Sequence, residues 1–492
     1  MRHVSGWPTE LYIDGAWRAA SDGGRLQVLN PADGSLVGEV AEATVGDVES
    51  AIIAARRAFD EGPWAHLPVL ERQQVLRAFA DGLEAREAAF TELVVAEAGV
   101  TLQLARAAQV RAPLLHFRDM VERVLPTFAF SRPQPPTFGL GIGQGVVLRE
   151  PAGVVSAITA FNWPMFLNIS KIAPALAAGC TVVLRPSPLT PLSALLLGEV
   201  AEEAGLPAGV LNIVTGGVDA AALLTHHPAV DVVSFTGSDA VGRQVMQQAA
   251  VGAKRTVLEL GGKSANIVLD DADLARVAPY AVTNFTRHSG QGCACFTRVL
   301  VHESRHDELV ERMLEVLRGL KVGDPTDPAT DMGPLISARQ RDRVESYVAL
   351  GREEGATVAF GGGRPAGLDA GFFVEPVLFT DVKNSMRIAQ EEIFGPVGVV
   401  IPFSSDDEAV SIANDSPFGL SGAVWAKDPV RAYGVATRLR TGMVTLNGGG
   451  GGVNPHGPFG GYKISGVGRE FGEAGLEEYL ETKTVNWAVA SG

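Results

Sequence analysis

Between Gly153 and Gly261 the chain repeats one unit that few folds accommodate: a short β-branched run followed by a helical stretch. The runs are VVSAITA (154–160), TVVLR (181–185), VLNIVTG (210–216), DVVSFTG (231–237) and TVLELG (256–261). They are largely apolar instead of strictly alternating, as expected of strands whose two faces are both covered by helices in a parallel sheet. PMFLNISKIAPALAAG and LSALLLGEVAEEAG have the character of covering helices. The pattern predicts an α/β fold with a doubly wound parallel sheet, whose ligands sit beyond the carboxyl ends of the strands.

The flanking regions are read around that unit. Val45, Val48, Ile52, Ala55 and Phe59 form one face of an amphipathic helix, with Thr44 as N-cap and Asp47 three residues on. A second helix carries Val75, Phe79 and Leu83 on one stripe. The Pro- and Gly-rich stretch RPQPPTFGLGIGQG precedes a strand and breaks the G-x-G-x-x-G pattern, so it reads as a connector or extended arm. After Gly262 another α/β pattern runs to about Gly460, with Val299–His302 and Val397–Pro402 as strands; the tail EEYLETKTV reads as helix end then strand.

Composition removes several function classes. A chain of 492 residues, 46% hydrophobic and 20% charged, has ample core for a globular enzyme without staples. A net charge of −15 with no Lys/Arg cluster opposes nucleic-acid binding. Three cysteines, Cys180, Cys293 and Cys295, make no disulfide framework and fit a reducing compartment. With no signal-peptide pattern and no apolar stretch long enough to span a bilayer, a cytoplasmic protein with no membrane partner is expected.

Three residues carry chemistry. Cys293 lies in SGQGCACFTR, where Gly290 and Gly292 leave space around sulfur and expose backbone N–H groups. A small buried hydrophobe is the alternative. Glu259 ends the last strand of the repeat, where a carboxylate is costly without a partner or a task, and the position suits a general base. Asn162 follows the first strand in TAFNWP, and its amide can donate to a developing oxyanion; a turn residue is the alternative.

With these residues stand FNWP (161–164), FTGSDAVG (235–242), LELGGKS (258–264), GQGC (290–293), EEIFGP (391–396), NDSPFGL (414–420) and PFGGYKISGVGRE (458–470). In order and separation, including the 34 residues from Glu259 to Cys293, the chain resembles the aldehyde dehydrogenase superfamily over essentially its full length. The resemblance implies a dinucleotide-binding domain over 1–132 and 151–259, a catalytic domain over 260–468, and a β oligomerisation arm and tail over 133–150 and 469–492. The arm is expected to pair with the tail strand across a subunit interface, in a homodimer or homotetramer.

The resemblance further implies that Cys293 attacks an aldehyde to give a thiohemiacetal, that Asn162 and the Cys293 N–H hold its oxyanion, and that Glu259 activates water against the thioester. Glu259 argues for hydrolysis over acyl transfer to coenzyme A. For the cofactor, NAD with NADP left open, it implies contacts from Ala160, Phe161, Arg185, Gly216, Phe235, Gly237, Ser238, Gly242, Gly261, Glu392 and Phe394. Ser238 sits at a helix start, a ready anion site. Arg185 stands where relatives usually have Lys, and Pro188 where they often have a ribose-binding Glu, which is why NADP stays open.

Trp163, Arg287, His288, His456 and Phe459, with the Gly448–His456 segment, are expected along the substrate tunnel. A Gly-rich wall with Trp163 and His288 suggests a medium or bulky, apolar or aromatic aldehyde. Arg287 keeps open a semialdehyde dehydrogenase for an anionic substrate, and a non-catalytic binding relative is the rival outside enzymology. Cys295 reads as filler, with a reversible bond to Cys293 as the alternative. HESRH (302–306) matches H-E-x-x-H, yet His302 ends a β-type run and Ser304 reads as the N-cap of the next helix, so no metal site is expected.

Overall fold

The computed structural model describes residues 6–139, 141–449 and 453–489. Strands occupy all five anticipated runs: Val154–Ile158, Thr181–Arg185, Leu211–Ile213, Val232–Thr236 and Arg255–Glu259. They form the parallel centre of an eight-stranded sheet ordered Ala16–Arg18, Leu11–Ile13, Leu211–Ile213, Thr181–Arg185, Val154–Ile158, Val232–Thr236, Arg255–Glu259, Gly466–Val467. The chain winds outward from Val154–Ile158 in one direction, then returns to its other side at Val232–Thr236. The crevice between those two strands is therefore the switch point where a ligand fits.

Both ends of this sheet come from short antiparallel strands, the pair Leu11–Ile13 and Ala16–Arg18 at one end and Gly466–Val467 at the other. Two or three residues carry too little periodicity to announce a strand in sequence. Gly466–Val467 also brings a segment from far along the chain beside Glu259, pairing it with Gly466.

Helices cover the sheet as the patterns require. Thr44 caps Val45–Asp60 with a full capping box, its hydroxyl accepting from the Asp47 N–H while the Asp47 carboxylate accepts from the Thr44 N–H. Val48, Ile52 and Ala55 are buried, whereas Val45 in the first turn faces solvent. Phe79 and Leu83 are buried on Val69–Ala85. A continuous helix over 102–127 contains two π-helical stretches, Ala105–Arg111 and Met120–Val124.

The second sheet has seven strands ordered Thr357–Phe360, Val377–Thr380, Val397–Phe403, Arg298–His302, Ala265–Val268, Ser421–Trp425, Met443–Leu446. All its pairs are parallel except the one to Thr357–Phe360. Arg298, almost wholly buried at its centre, donates to the carbonyls of Lys263, Ile412 and Ala413 and to Asn384 Oδ1, so its charge is met by oxygen dipoles.

Two expectations are corrected. The arm strand Ile142–Pro151 pairs antiparallel with the tail strand Leu480–Val489 of the same chain, in register from Leu480↔Pro151 to Val489↔Ile142, and not across a subunit interface. The physical reason is proximity: helix Gly472–Glu477 delivers the tail directly alongside Pro151, so the pairing closes locally. In HESRH, Ser304 is no helix cap: it lies in the 3₁₀ turn Glu303–Arg305, which the His302 ring caps by accepting from the Ser304 N–H, and the α-helix begins at His306. His302 thus sits on a strand and His306 on a helix, and no group of three or more His, Cys, Asp or Glu side chains suited to a metal ion exists among the described residues. No helix among them is long and apolar enough to cross a membrane.

Candidate active site

The loop carrying Cys293 is held between the two sheets by contacts only glycine allows. A Cβ on Gly262 would lie 2.3 Å from the Cys293 carbonyl oxygen, and one on Gly290 would lie 2.0 Å from the Gly395 carbonyl oxygen. LELGG and EEIFGP therefore press against the nucleophile loop from two directions. Gly290 has φ +69°, which costs glycine little. On a third side, Asn162 Nδ2 donates to the Gln291 carbonyl at 3.0 Å. Asn162 itself is buried, positioned by the turn from strand Val154–Ile158 into helix Pro164–Ala178.

Glu259 closes its strand fully buried, with neither carboxylate oxygen partnered among the described residues. Burial first, then the neighbouring Glu470 carboxylate, push its carboxyl well above the ordinary range. A Cβ on Gly460 would lie 2.8 Å from Glu259 Oε1, so PFGGYK forms one wall of its pocket. Burial, then the Glu392 and Glu259 carboxylates, push the Cys293 thiol up, so it rests protonated. A thiol and a carboxyl that both hold their protons more tightly than usual thus lie within electrostatic reach of one another.

Sequence reasoning did not find the partners behind Glu259. Lys171 Nζ and Glu470 Oε1 pair at 2.8 Å, both buried, and Ser234 Oγ accepts from Lys171 at 3.3 Å and from Tyr479 at 3.0 Å. Glu470 is fixed by reciprocal backbone bonds with Phe459. Charges 299 residues apart leave no local signal.

On the crevice side, Glu392 Oε1 accepts from the Gly262 N–H at 2.9 Å, and burial lifts its pKa to about 7. A Cβ on Gly261 would meet that carboxylate at 2.6 Å. Buried Lys263 lies nearby with no partner among the described residues, its pKa held down to about 7 by burial. Phe394, in the left-handed region at φ 61°, meets Phe161 edge-on at 5.8 Å. Gln340 holds this segment by donating to the Phe394 carbonyl at 2.7 Å, and Arg343 donates to the Glu392 carbonyl at 2.6 Å. Both lie on helix Ala338–Glu353 and were absent from the sequence reading, because their targets are backbone oxygens.

The strand ends suit a dinucleotide. Ser238 caps helix Asp239–Ala250, and its first turn is exposed beyond Val232–Thr236. Gly237 and Gly242 lie against the Phe235 ring and Leu260, where a Cβ would come within 2.4 and 2.5 Å. Gly216 and Ala160 follow Leu211–Ile213 and Val154–Ile158, the strands on either side of Thr181–Arg185, at the same edge of the sheet. Arg185 Nη2 donates to the carbonyls of Gly216 at 2.5 Å and Gly217 at 3.0 Å, and burial lowers its pKa to about 10. Its guanidinium is thereby committed to closing the strand ends.

On the other side of Cys293, Phe459, Leu420 and Phe471 form an apolar cluster joined by Phe166, Ala294, Met443, Val453 and Cys293 itself. Trp163 lies at its margin, edge-on to Phe166 and to His288, with the Arg287 guanidinium 5.6 Å from its ring. His288 is buried, with both ring nitrogens unpartnered among the described residues. His456 departs from expectation: it is exposed and its Nδ1 meets Asp119 at 2.9 Å, because a polar ring that finds a partner at the surface is costly to bury in the apolar cluster. Val453 supplies the wall instead. Gly450, Gly451 and Gly452 of the expected wall lie outside the described residues.

With this geometry in view, the chain was compared with known proteins. A model of the aldehyde dehydrogenase family matches residues 17–485. The chain is 44% identical over 483 residues to a 3-succinoylsemialdehyde-pyridine dehydrogenase of a Pseudomonas species, covering 97% of this chain and 98% of that one. A Mycobacterium tuberculosis aldehyde dehydrogenase complexed with NAD+ matches with TM-score 0.93 and 45% identity, over 97% of each chain. A Staphylococcus aureus betaine aldehyde dehydrogenase in complex with NAD+ matches with TM-score 0.95 and 37% identity, over 98% of this chain and 95% of that one.

Proposed function

Because the chain belongs to the aldehyde dehydrogenase family, we propose that it oxidises an aldehyde to the carboxylic acid through a covalent intermediate on Cys293, with NAD as oxidant. The observation that carries this reading is the buried Glu259 carboxylate, unpartnered among the described residues and within electrostatic reach of the partly buried Cys293 thiol.

The chemistry follows from those two groups. Cys293 gives up its thiol proton to solvent, and its Sγ forms a bond to the aldehyde carbon. Negative charge develops on the aldehyde oxygen. Asn162 meets it, since one amide hydrogen is fixed on the Gln291 carbonyl and the other is thereby aimed. A nicotinamide dinucleotide, when bound, supplies the two-electron oxidation that leaves a thioester on Cys293. Glu259 then takes a proton from the water that attacks the thioester, the C–S bond breaks, and the acid departs.

Glu392, Phe394, Ser238 and the glycines at 216, 237, 242 and 261 are the residues assigned to the dinucleotide. NAD is favoured over NADP because burial and the bonds from Nη2 to the Gly216 and Gly217 carbonyls turn the Arg185 guanidinium toward the strand ends. Both similar structures named above are NAD+ complexes, which supports the same choice.

The apolar cluster around Cys293 supports a medium or bulky aldehyde with an apolar or aromatic body. A second reading, an anionic or acceptor-bearing semialdehyde, is favoured by Arg287, which lies over Trp163 without an ion pair among the described residues. That guanidinium opposes a cationic aldehyde such as the one in the Staphylococcus aureus enzyme's name. We further propose assembly as a homodimer or homotetramer through the exposed arm sheet.

The test is reduced-nicotinamide absorbance with aliphatic, aromatic, carboxylate-bearing and quaternary-ammonium aldehydes, each with NAD and NADP, beside Cys293→Ala. Turnover with NAD on aromatic or anionic aldehydes, abolished in the variant, is expected. Turnover that survives Cys293→Ala, or preference for the cationic aldehyde, would overturn the corresponding part.

A further inference from the structure

The helix over 102–127 buries two polar side chains against the site, each with one hydrogen bond, and each bond ends on a backbone carbonyl of a site segment. Gln109, fully buried in the first π-helical stretch, donates from Nε2 to the carbonyl of Asn162 at 2.9 Å, while its Oε1 has no partner among the described residues. Some two turns further on, His116 Nε2 meets the carbonyl of Val453 at 3.1 Å, and its Nδ1 is likewise unpartnered. A carbonyl oxygen only accepts, so Nε2 carries the hydrogen.

An amide and an imidazole buried with half their hydrogen-bonding capacity unmet cost free energy that leucine or phenylalanine would not. What they supply in return is location. Asn162 is the residue assigned to the oxyanion, and Val453 packs in the apolar cluster with Cys293. The His116 ring also lies edge-on to Phe471 at 4.3 Å and to Phe166 at 5.2 Å, two further members of that cluster. Val453 follows a run of five glycines that has no side chains with which to fix itself. Just outside, Asp119 on the same helix pairs with His456 and is gripped by both ends of the Arg123 guanidinium. The π-helical stretches bracketing His116 widen the helix where its side chains must reach two separate strands of chain.

We propose that Gln109 and His116 are positioning residues for the reaction: Gln109 sets the Asn162 amide against the developing oxyanion, and His116 sets the Val453 wall against the acyl group of the substrate. The proposal rests on the reading above that Cys293 is the nucleophile and the apolar cluster its acyl tunnel. The two residues therefore act on different kinetic constants. Asn162 is needed in the transition state, so losing its anchor lowers kcat; the wall binds the substrate body, so losing its anchor raises KM for large aldehydes.

The experiment compares Gln109→Met and His116→Phe, which keep bulk and remove the donor, in the full-length enzyme with NAD and two aldehydes, propanal and 3-phenylpropanal. Gln109→Met is expected to lower kcat by about tenfold with both aldehydes and leave both KM values near wild type. His116→Phe is expected to raise KM for 3-phenylpropanal by about tenfold, with kcat and the propanal KM little changed, and His116→Gln, which keeps a donor, to recover most of the loss. Thermal unfolding accompanies each variant. Should His116→Phe not fold, the contrast of His116→Leu with His116→Gln carries the same test, and Gln109→Leu replaces Gln109→Met on the same ground. Equal losses in kcat and KM with both aldehydes, or wild-type kinetics throughout, would overturn the assignment. Cys293→Ala separates the two levels: if it retains turnover, the underlying reading fails; if it is inactive while both positioning variants behave as wild type, only this inference fails.

Discussion

His288 shows how much a single residue can cost at this site. It sits in the left-handed backbone region at φ 50°, with Ser289 beside it at φ 54°, and its ring is buried without a partner among the described residues. Burial first holds the imidazole down to about 4 from an ordinary 6.5, against the Asn162 backbone, which raises it, and the nearby Arg287 charge, which lowers it further. A histidine depressed in the folded state binds its proton more readily when unfolded. Stability due to its neutral form is thus complete above about pH 6.5 and lost as pH falls toward 4, at most about 3 kcal/mol in all. Urea unfolding across that range is expected to show a shallower acid loss for His288→Asn, because asparagine tolerates the left-handed region and does not titrate. Parallel pH profiles for the two proteins would contradict this. At the same scale, Cys293, Glu259 and Asn162 were singled out in the sequence because an unusual residue type stood at a strand end or in a glycine loop. Gln109, Gln340 and the Lys171–Glu470 pair were not, since each finds its partner far along the chain and often on a main-chain oxygen.

Elements divide in the same way. Strands of five residues in the first sheet were readable from apolar runs, and their helices from spacing. The short outer strands Leu11–Ile13, Ala16–Arg18 and Gly466–Val467 were not, being set by pairing with a sheet already formed. The arm was recognised as extended from its proline and glycine content, but its partner was misjudged, because nothing in a strand's composition says whether its neighbour belongs to the same chain. Its outer surface now carries the assembly proposal. Nearly every residue of Leu480–Val489 is exposed, and Phe138 (79%) and Trp487 (47%) stand in solvent on this sheet. Exposed apolar strands with free edges favour association. Light scattering after size-exclusion chromatography is expected to give a mass two or four times 51.7 kDa, and Phe138→Glu with Trp487→Glu to reduce it to the single chain. A wild-type mass of 51.7 kDa would remove the proposal.

Over the whole molecule, the first sheet brings Glu259, Asn162 and the strand ends assigned to the dinucleotide to one crevice, and the second sheet supplies Cys293 through the loop before Arg298–His302 and Glu392 through the segment before Val397–Phe403. Glycines at 261, 262, 290 and 460 let these segments close on one another. The chemistry is thus a property of the junction, in which one sheet holds the base and the other the nucleophile. That division is the central claim, and trapping the intermediate addresses it most directly. Glu259→Gln, mixed with NAD and an aldehyde that the wild type turns over, is expected to gain the mass of one acyl group by intact-protein mass spectrometry, located on Cys293 by peptide mapping. It should also give a single burst of reduced nicotinamide with little turnover after it. An unmodified Cys293 in that variant alongside wild-type steady turnover would contradict the account.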